Sequence, residues 1–173
     1  MFERALFLNG VFEEVLSEIW SVQEDLPEQI LFLQPYSAER IVELKRIPPT
    51  VDAPLQLFAS TSEELGLVSF TGELVGWRDR RSMPTKVKTL IDRVIRELQP
   101  NEQKVYPEAR GIECTNLLCV RRLRPIGERF PVTRLKLIRK GRTVAGARAT
   151  AGGWYYVAPL SKTEPESGRE ENQ

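Results

Sequence analysis

The chain has 173 residues, of which 41% are hydrophobic and 28% charged, and its net charge is +1; this is the size and composition of one soluble globular domain. It contains no histidine, which excludes a Ser-His-Asp triad, a Cys-His nucleophile pair and a histidine metal site, and so argues against an enzyme. No apolar segment approaches the roughly 18 residues of a membrane span, the N-terminus does not resemble a signal peptide, and two cysteines give no disulfide framework, so we expect a cytoplasmic protein.

The first part of the chain alternates short apolar segments with helical patterns. Residues 5–8 and 30–33 are apolar and short, as in buried strands. Apolar residues recur at spacings of three and four over 10–23 and 38–46, which predicts two amphipathic helices. The chain therefore opens as strand, helix, strand, helix.

The middle of the chain has the clearest strand pattern. Residues 55–59 alternate weakly, and 67–77 (LVSFTGELVGW) alternate apolar and small or polar side chains. A helix is predicted over 86–98, with Thr85 as its N-cap.

The last part is predicted to contain only strands and a tail. Strands are expected over 115–123 and 132–138, with Gly127 in the connection, and over 154–158. Residues 161–173 contain no apolar residue, so we expect a disordered polar tail after a single α+β domain over 1–160. This order predicts a small, mixed, strongly curved β-sheet or barrel with helices packed outside.

Charge is distributed unevenly along the chain. Residues 1–77 hold 4 Lys/Arg and 13 Asp/Glu, a net charge of −9, whereas residues 78–148 hold 19 and 7, a net charge of +12. Such asymmetry indicates a polyanionic partner, DNA or RNA. The alternative is that the acidic and basic parts pair with each other inside one domain.

Two groups of residues are candidates for nucleic-acid binding. The first lies where the strand over 67–77 ends, because an aromatic beside arginines offers both base stacking and phosphate pairing. The second is a basic stripe on the two strands that follow, in which residues 134 and 136 share a face. Together the candidates are Trp77, Arg78, Arg80, Arg81, Arg121, Arg122, Arg124, Arg134 and Lys136.

Trp154 and Tyr156 share a face of the last predicted strand and would either line a pocket for a flipped base or close the core. Trp77 has the same two interpretations. No motif of paired carboxylates or metal ligands surrounds Glu73 or Asp79, which are the nearest acidic residues, so no catalytic residue is predicted.

The strand phrase V-x-F-x-G-E-L-V-G-W, preceded by a strand and a polar turn from Pro54, resembles the central strands of PUA-like domains, especially the EVE and ASCH branches. The segment 117–138, with Pro125-Ile126 as its turn, is similar to their closing hairpin. The resemblance implies a β-barrel with flanking helices, no cofactor, and a pocket for a modified or flipped base. The pocket residues that it implies here are Phe58, Ser60, Trp77 and Arg78. The last predicted strand departs from the family pattern, and its Trp154 is a further pocket candidate on its own sequence context.

The sequence thus predicts a non-catalytic nucleic-acid-binding domain. Two other hypotheses stay open. The chain could be an interaction or adaptor protein, for example of a defence or mobile-element system, which docks a protein partner through its acidic N-terminal helix. It could also be a metal-dependent enzyme acting on nucleic acid through carboxylates.

Overall fold

The computed structural model describes residues 4–33, 44, 46, 48–79, 84–86, 116–135 and 153–157. These residues form six strands and one complete helix. In chain order they are β1 (Ala5–Val11), α1 (Glu13–Gln23), β2 (Leu31–Leu33), β3 (Leu55–Thr61), β4 (Leu67–Asp79), β5 (Asn116–Pro131) and β6 (Gly153–Val157).

The six strands form one mixed sheet in the order β2-β5-β4-β3-β1-β6. β1 and β3 are parallel, and the other neighbours are antiparallel. The sheet curls into a half-barrel. The prediction of a small α+β fold built on a curved, mixed sheet is confirmed at this level.

The larger hydrophobic core lies between α1 and one face of the sheet. The helix contributes Val15, Leu16 and Ile19, and β3 contributes Leu57 and Ala59. The spacing of the three helix residues places them on one side, as the sequence pattern requires.

A smaller core lies on the opposite face, because successive side chains of a strand point to opposite sides. Phe7 of β1, Phe58 of β3 and Phe130 of β5 belong to this second cluster. Both faces of the sheet are therefore apolar in part, and β3 contributes to both.

The predicted hairpin at Pro125-Ile126 is wrong. β5 continues through this point as a single strand of 16 residues. Phe70 of β4 is paired with Pro125 and Val68 with Phe130, so two steps on β4 face five on β5. The four residues 126–129 therefore face Ser69 alone, so the regular pairing is interrupted directly after Pro125, and a proline is tolerated at such a bulge.

The predicted strand over 132–138 is also wrong in its described part. Val132–Arg134 form a 3-10 turn, in which the N–H of Val132 donates to the carbonyl of Gly66 at 2.9 Å and the N–H of Leu135 to that of Val132 at 3.0 Å. Arg134 therefore lies in a turn and not on a strand face shared with Lys136.

Helix α1 begins later than predicted. Gly10 and Val11 belong to β1, and Gly10 has a φ of 81°, which glycine adopts without strain. The helix starts at Glu13.

Several predicted features lie largely outside the described residues. Of the helix predicted over 38–46 only Leu44 and Arg46 are described, and both are helical. Thr85 and Lys86 are helical at the start of the next predicted helix. The tail over 161–173 lies outside altogether. In the part of the chain that is described, no helix has the length and apolar character needed to cross a membrane.

Candidate functional site

In addition to the bulge after Pro125, β5 has a bulge at Arg122 and Leu123, which is hereafter the β5 bulge. Thr71 is paired with Arg124 and Glu73 with Arg121, so two residues of β5 face the single intervening Gly72. At Gly72 a Cβ atom would lie 3.1 Å from the Cα of Leu123, so a larger residue would require the backbone of β5 to move away by a few tenths of an ångström. Within the bulge, Arg122 has a φ of 53°, a left-handed conformation that is costly for a residue other than glycine.

The side chain of Gln23, at the end of α1, holds this bulge in place. Its Nε2 donates to the carbonyls of Gln29 at 2.7 Å and Val120 at 2.9 Å, and its Oε1 accepts from the N–H of Leu123 at 2.8 Å. The side chain is only 2% exposed. A buried amide with these three bonds fixes the helix end, the following loop and the bulged strand relative to one another.

Two arginines of the bulge form an ion network with acidic residues of the first half. Arg121 Nε donates to Glu73 Oε2 at 2.7 Å, and Arg122 Nη1 donates to Glu73 Oε1 at 3.0 Å. Glu28 contacts both arginines, and Arg121 also donates to the carbonyl of Val51 at 3.1 Å. The hydrogen bonds to Glu28 and then Glu73 raise the pKa of Arg122 above its ordinary value.

Arg129, farther along β5, forms an ion pair with Glu64. Arg121, Arg122 and Arg129 of the basic half therefore pair with glutamates of the acidic half. This is the alternative interpretation of the charge asymmetry, and it holds for these three arginines. Their charges are already balanced within the domain.

Arg124 differs from these three. Its side chain is exposed, and it makes no ion pair with any residue that the structure describes. It lies at one side of a pocket of about 520 Å³ between the end of α1 and the bulge. The residues that line this pocket are Trp20, Gln23, Glu24, Pro27, Arg122, Leu123 and Arg124.

Trp20 was not singled out by its sequence context. It is partly buried, packs against the larger core and lines the pocket. The only sequence signal for it is its position four residues after Leu16, which places it beside the apolar side of α1. That position is equally typical of a core residue.

Arg78 and Arg134 lie near the two ends of the ribbon that β4 and β5 form. Both are exposed, and neither has a carboxylate partner among the described residues. Arg78 Nη1 donates to the carbonyl of Trp77 at 2.9 Å. The guanidinium of Arg134 lies 5.3 Å from the centre of the Phe130 ring, as in a cation–π contact.

The aromatic residues expected to form a base pocket are not brought together. Phe58 is 1% exposed and packs edge-to-face on Phe130 at 6.0 Å, in the smaller core. Trp77 is partly buried and packs against the larger core on the opposite face. Phe58 and Trp77 therefore cannot line one cavity.

Ser60 is fully buried beside the smaller core. Its hydroxyl donates to Asn9 Oδ1 at 2.7 Å and accepts from the N–H of Gly10 at 3.1 Å. These bonds occupy the hydroxyl within the fold. The backbone of Trp154 is paired with Leu8, whereas its side chain, like Arg80, Arg81 and Lys136, lies outside the described part.

The described residues offer little for metal or thiol chemistry. Within the described ranges, no three His, Cys, Asp or Glu side chains are grouped so that they could hold a metal ion. Cys119 is a free, partly buried cysteine, and burial raises the pKa of its thiol, although the charge of Arg78 opposes this.

Comparison of the chain with family models, with curated proteins and with solved structures gave no match.

Proposed function

We propose that this protein is a non-catalytic nucleic-acid-binding domain that holds the phosphate backbone along the ribbon of β4 and β5. The observation that carries the proposal is that Arg78, Arg124 and Arg134 on or beside this ribbon are exposed and unmatched by described carboxylates. Exposed guanidinium groups that form no ion pair within the described part of the chain are available for phosphate, which they bind through paired N–H donors.

The spacing of these arginines suits an extended ligand. Arg78 is paired with Leu117 of β5, which precedes Arg124 by seven residues. At about 3.3 Å per strand residue, Arg78 and Arg124 are therefore about 23 Å apart along the ribbon. Arg134 follows β5 at its far end. Three cations distributed along one ribbon favour a polymer of phosphates, DNA or RNA, over a single small anion.

The proposal includes a base-reading pocket, which the resemblance to PUA-like domains implied. The pocket at the β5 bulge supports it, because there the aromatic Trp20 and Arg124, which has no carboxylate partner among the described residues, line the same cavity. Phe58 and Ser60 are not part of this proposal, because each is buried and bonded or packed within the fold.

The test is fluorescence anisotropy of labelled single-stranded and duplex oligonucleotides over a series of salt concentrations. With three phosphate contacts, the logarithm of the binding constant should fall linearly with log salt, with a slope of about −2 for a single strand. Absence of binding to DNA and RNA at about 50 mM salt would refute the proposal.

A protein-binding role is the second candidate, favoured by one observation. Leu26 and Ile30 flank Glu28, and the carbonyl of Val51 accepts a hydrogen bond from the same Arg121 that pairs with Glu28. All three apolar side chains are exposed, at 55%, 42% and 47%. Apolar groups exposed around one ion network are typical of a protein contact surface. Co-purification of a protein at 1:1 stoichiometry, lost on changing Leu26 and Ile30 to serine, would support this role.

A further inference from the structure

We propose that the pocket between the end of α1 and the bulge of β5 binds one unstacked nucleotide whose base carries an exocyclic amino group. This inference rests on the proposed nucleic-acid binding and assigns it a specific subsite. The pocket's volume of about 520 Å³ lies within the range of roughly 300–1,000 Å³ found for small-molecule sites.

The aromatic wall of the pocket is Trp20. Its indole packs against the larger core on the inside and lines the pocket on the outside. A side chain held in this way loses little freedom when a base stacks on it. Stacking of a base on an aromatic side chain changes affinity by about 5- to 100-fold.

The phosphate of the nucleotide is assigned to Arg124. Arg122 also lines the pocket, but Glu28 and Glu73 already accept hydrogen bonds from it. Arg124 is the lining cation without a carboxylate among the described residues. The phosphate is therefore expected on the Arg124 side of the pocket, and the base on the Trp20 side.

The choice of base is assigned to Glu24. The side-chain amide of Gln23 is committed to Gln29, Val120 and Leu123, so it forms a wall and is not free to read a base edge. The carboxylate of Glu24 accepts hydrogen bonds and donates none. It suits the amino group of cytosine, adenine or guanine and is repelled by the O4 carbonyl of uracil or thymine.

The discriminating experiment compares oligo(dC) with oligo(dU) of about 12 nucleotides, a length within the usual single-strand site. These strands differ at C4, which carries an amino group in cytosine and a carbonyl oxygen in uracil, and at N3, which carries a proton in uracil. The wild-type protein should bind oligo(dC) at least about 5-fold more tightly. In Glu24→Gln the preference should shrink to less than about 2-fold, because an amide offers both donors and an acceptor. Glu13→Gln, on the first turn of the same helix, should keep the full preference.

Two further arms complete the test. Trp20→Leu should weaken oligo(dC) binding by about 5- to 100-fold, whereas Trp20→Phe, which keeps an aromatic face, should lose much less. Competition with dCMP and dUMP shows whether the pocket takes a free nucleotide or one within a strand. If dCMP displaces bound oligo(dC) and dUMP does not, the pocket binds a free nucleotide. If dCMP does not displace oligo(dC), the pocket binds a nucleotide that is part of a strand.

Equal affinity of the wild type for oligo(dC) and oligo(dU), or a preference that survives Glu24→Gln, would overturn the inference while leaving backbone binding and its salt dependence intact. Failure of the proposed function itself would differ, because neither oligonucleotide would then bind at low salt. Glu24 is exposed, so its variant is expected to fold even if Trp20→Leu does not.

Discussion

Gln23 and Leu123 are one hundred positions apart in sequence, and the backbone N–H of Leu123 donates a hydrogen bond of 2.8 Å to the side-chain Oε1 of Gln23. This bond joins the last residue of α1 to the bulge of β5. It positions the helix end against the strand and so forms the pocket between them.

Replacing Gln23 with leucine should therefore destabilise the protein. The buried N–H of Leu123 would lose its acceptor and the carbonyl of Val120 would lose a donor, and a buried polar group left without a partner costs about 1–3 kcal/mol. We expect a loss of about 3 kcal/mol in the free energy of unfolding, measured by urea denaturation. Gln29→Leu is the matched control, because Gln29 is exposed and contributes its backbone carbonyl. A loss in Gln23→Leu no larger than in the control would contradict this role.

The left-handed backbone at Arg122 can be tested with a series of neutral substitutions. All of them remove the same charge, so differences among them report the backbone. Glycine and asparagine should give higher urea midpoints than alanine, and valine should give the lowest, because a branched Cβ fits the left-handed region worst. If valine and glycine gave equal midpoints, the bulge would not impose this conformation.

Glu73 and Arg121 form the most enclosed ion pair of the described sheet, with side chains only 13% and 11% exposed. Glu73→Leu should cost about 3 kcal/mol, because it removes the enclosed carboxylate from the largely buried guanidinium of Arg121 and leaves it paired with the exposed Glu28. Changing both residues to leucine should recover part of this loss. Glu64→Leu, which breaks the exposed pair with Arg129, should cost less than about 1 kcal/mol. Equal losses in Glu73→Leu and Glu64→Leu would show that burial does not distinguish the two pairs.

The pH dependence of Cys119 follows from its burial. Because burial raises the pKa of its thiol, alkylation in a Cys114→Ser background should be slower at pH 8 than for an exposed cysteine. Arg78→Ala should slow it further, since the positive charge of Arg78 lowers that pKa. Because the pKa of the Cys119 thiol is higher in the folded than in the unfolded protein, the free energy of unfolding should fall as the pH rises above the pKa that the thiol has in the unfolded chain. Faster alkylation in Arg78→Ala would contradict this coupling.

Local sequence patterns predicted the regular elements well where one periodicity dominated. The strand at 67–77 and the apolar side of α1 were found because their spacing reports burial directly. The sequence did not predict that β5 continues through Pro125 and Gly127, because proline and glycine normally end a strand. Here a bulge against β4 accommodates them, and a bulge depends on pairing with a distant strand.

The candidate site was predicted only in part, for the same reason. Arg124 and Arg78 were identified by residue type, but Trp20 and Glu24 were not, because their role depends on where α1 meets the bulge of β5. The ion pairs that occupy Arg121 likewise join residues 48 and 93 positions apart, which no local pattern reveals.

The most direct test of nucleic-acid binding compares Arg124→Ala with Arg129→Ala. Arg129 lies on the same strand and has the same charge but is paired with Glu64. Salt titrations of oligonucleotide binding should show a slope for Arg124→Ala that is shallower than wild type by about 0.7, with weaker affinity on every sequence, and an almost unchanged slope for Arg129→Ala. Equal effects of the two variants, or no effect of either, would contradict the account.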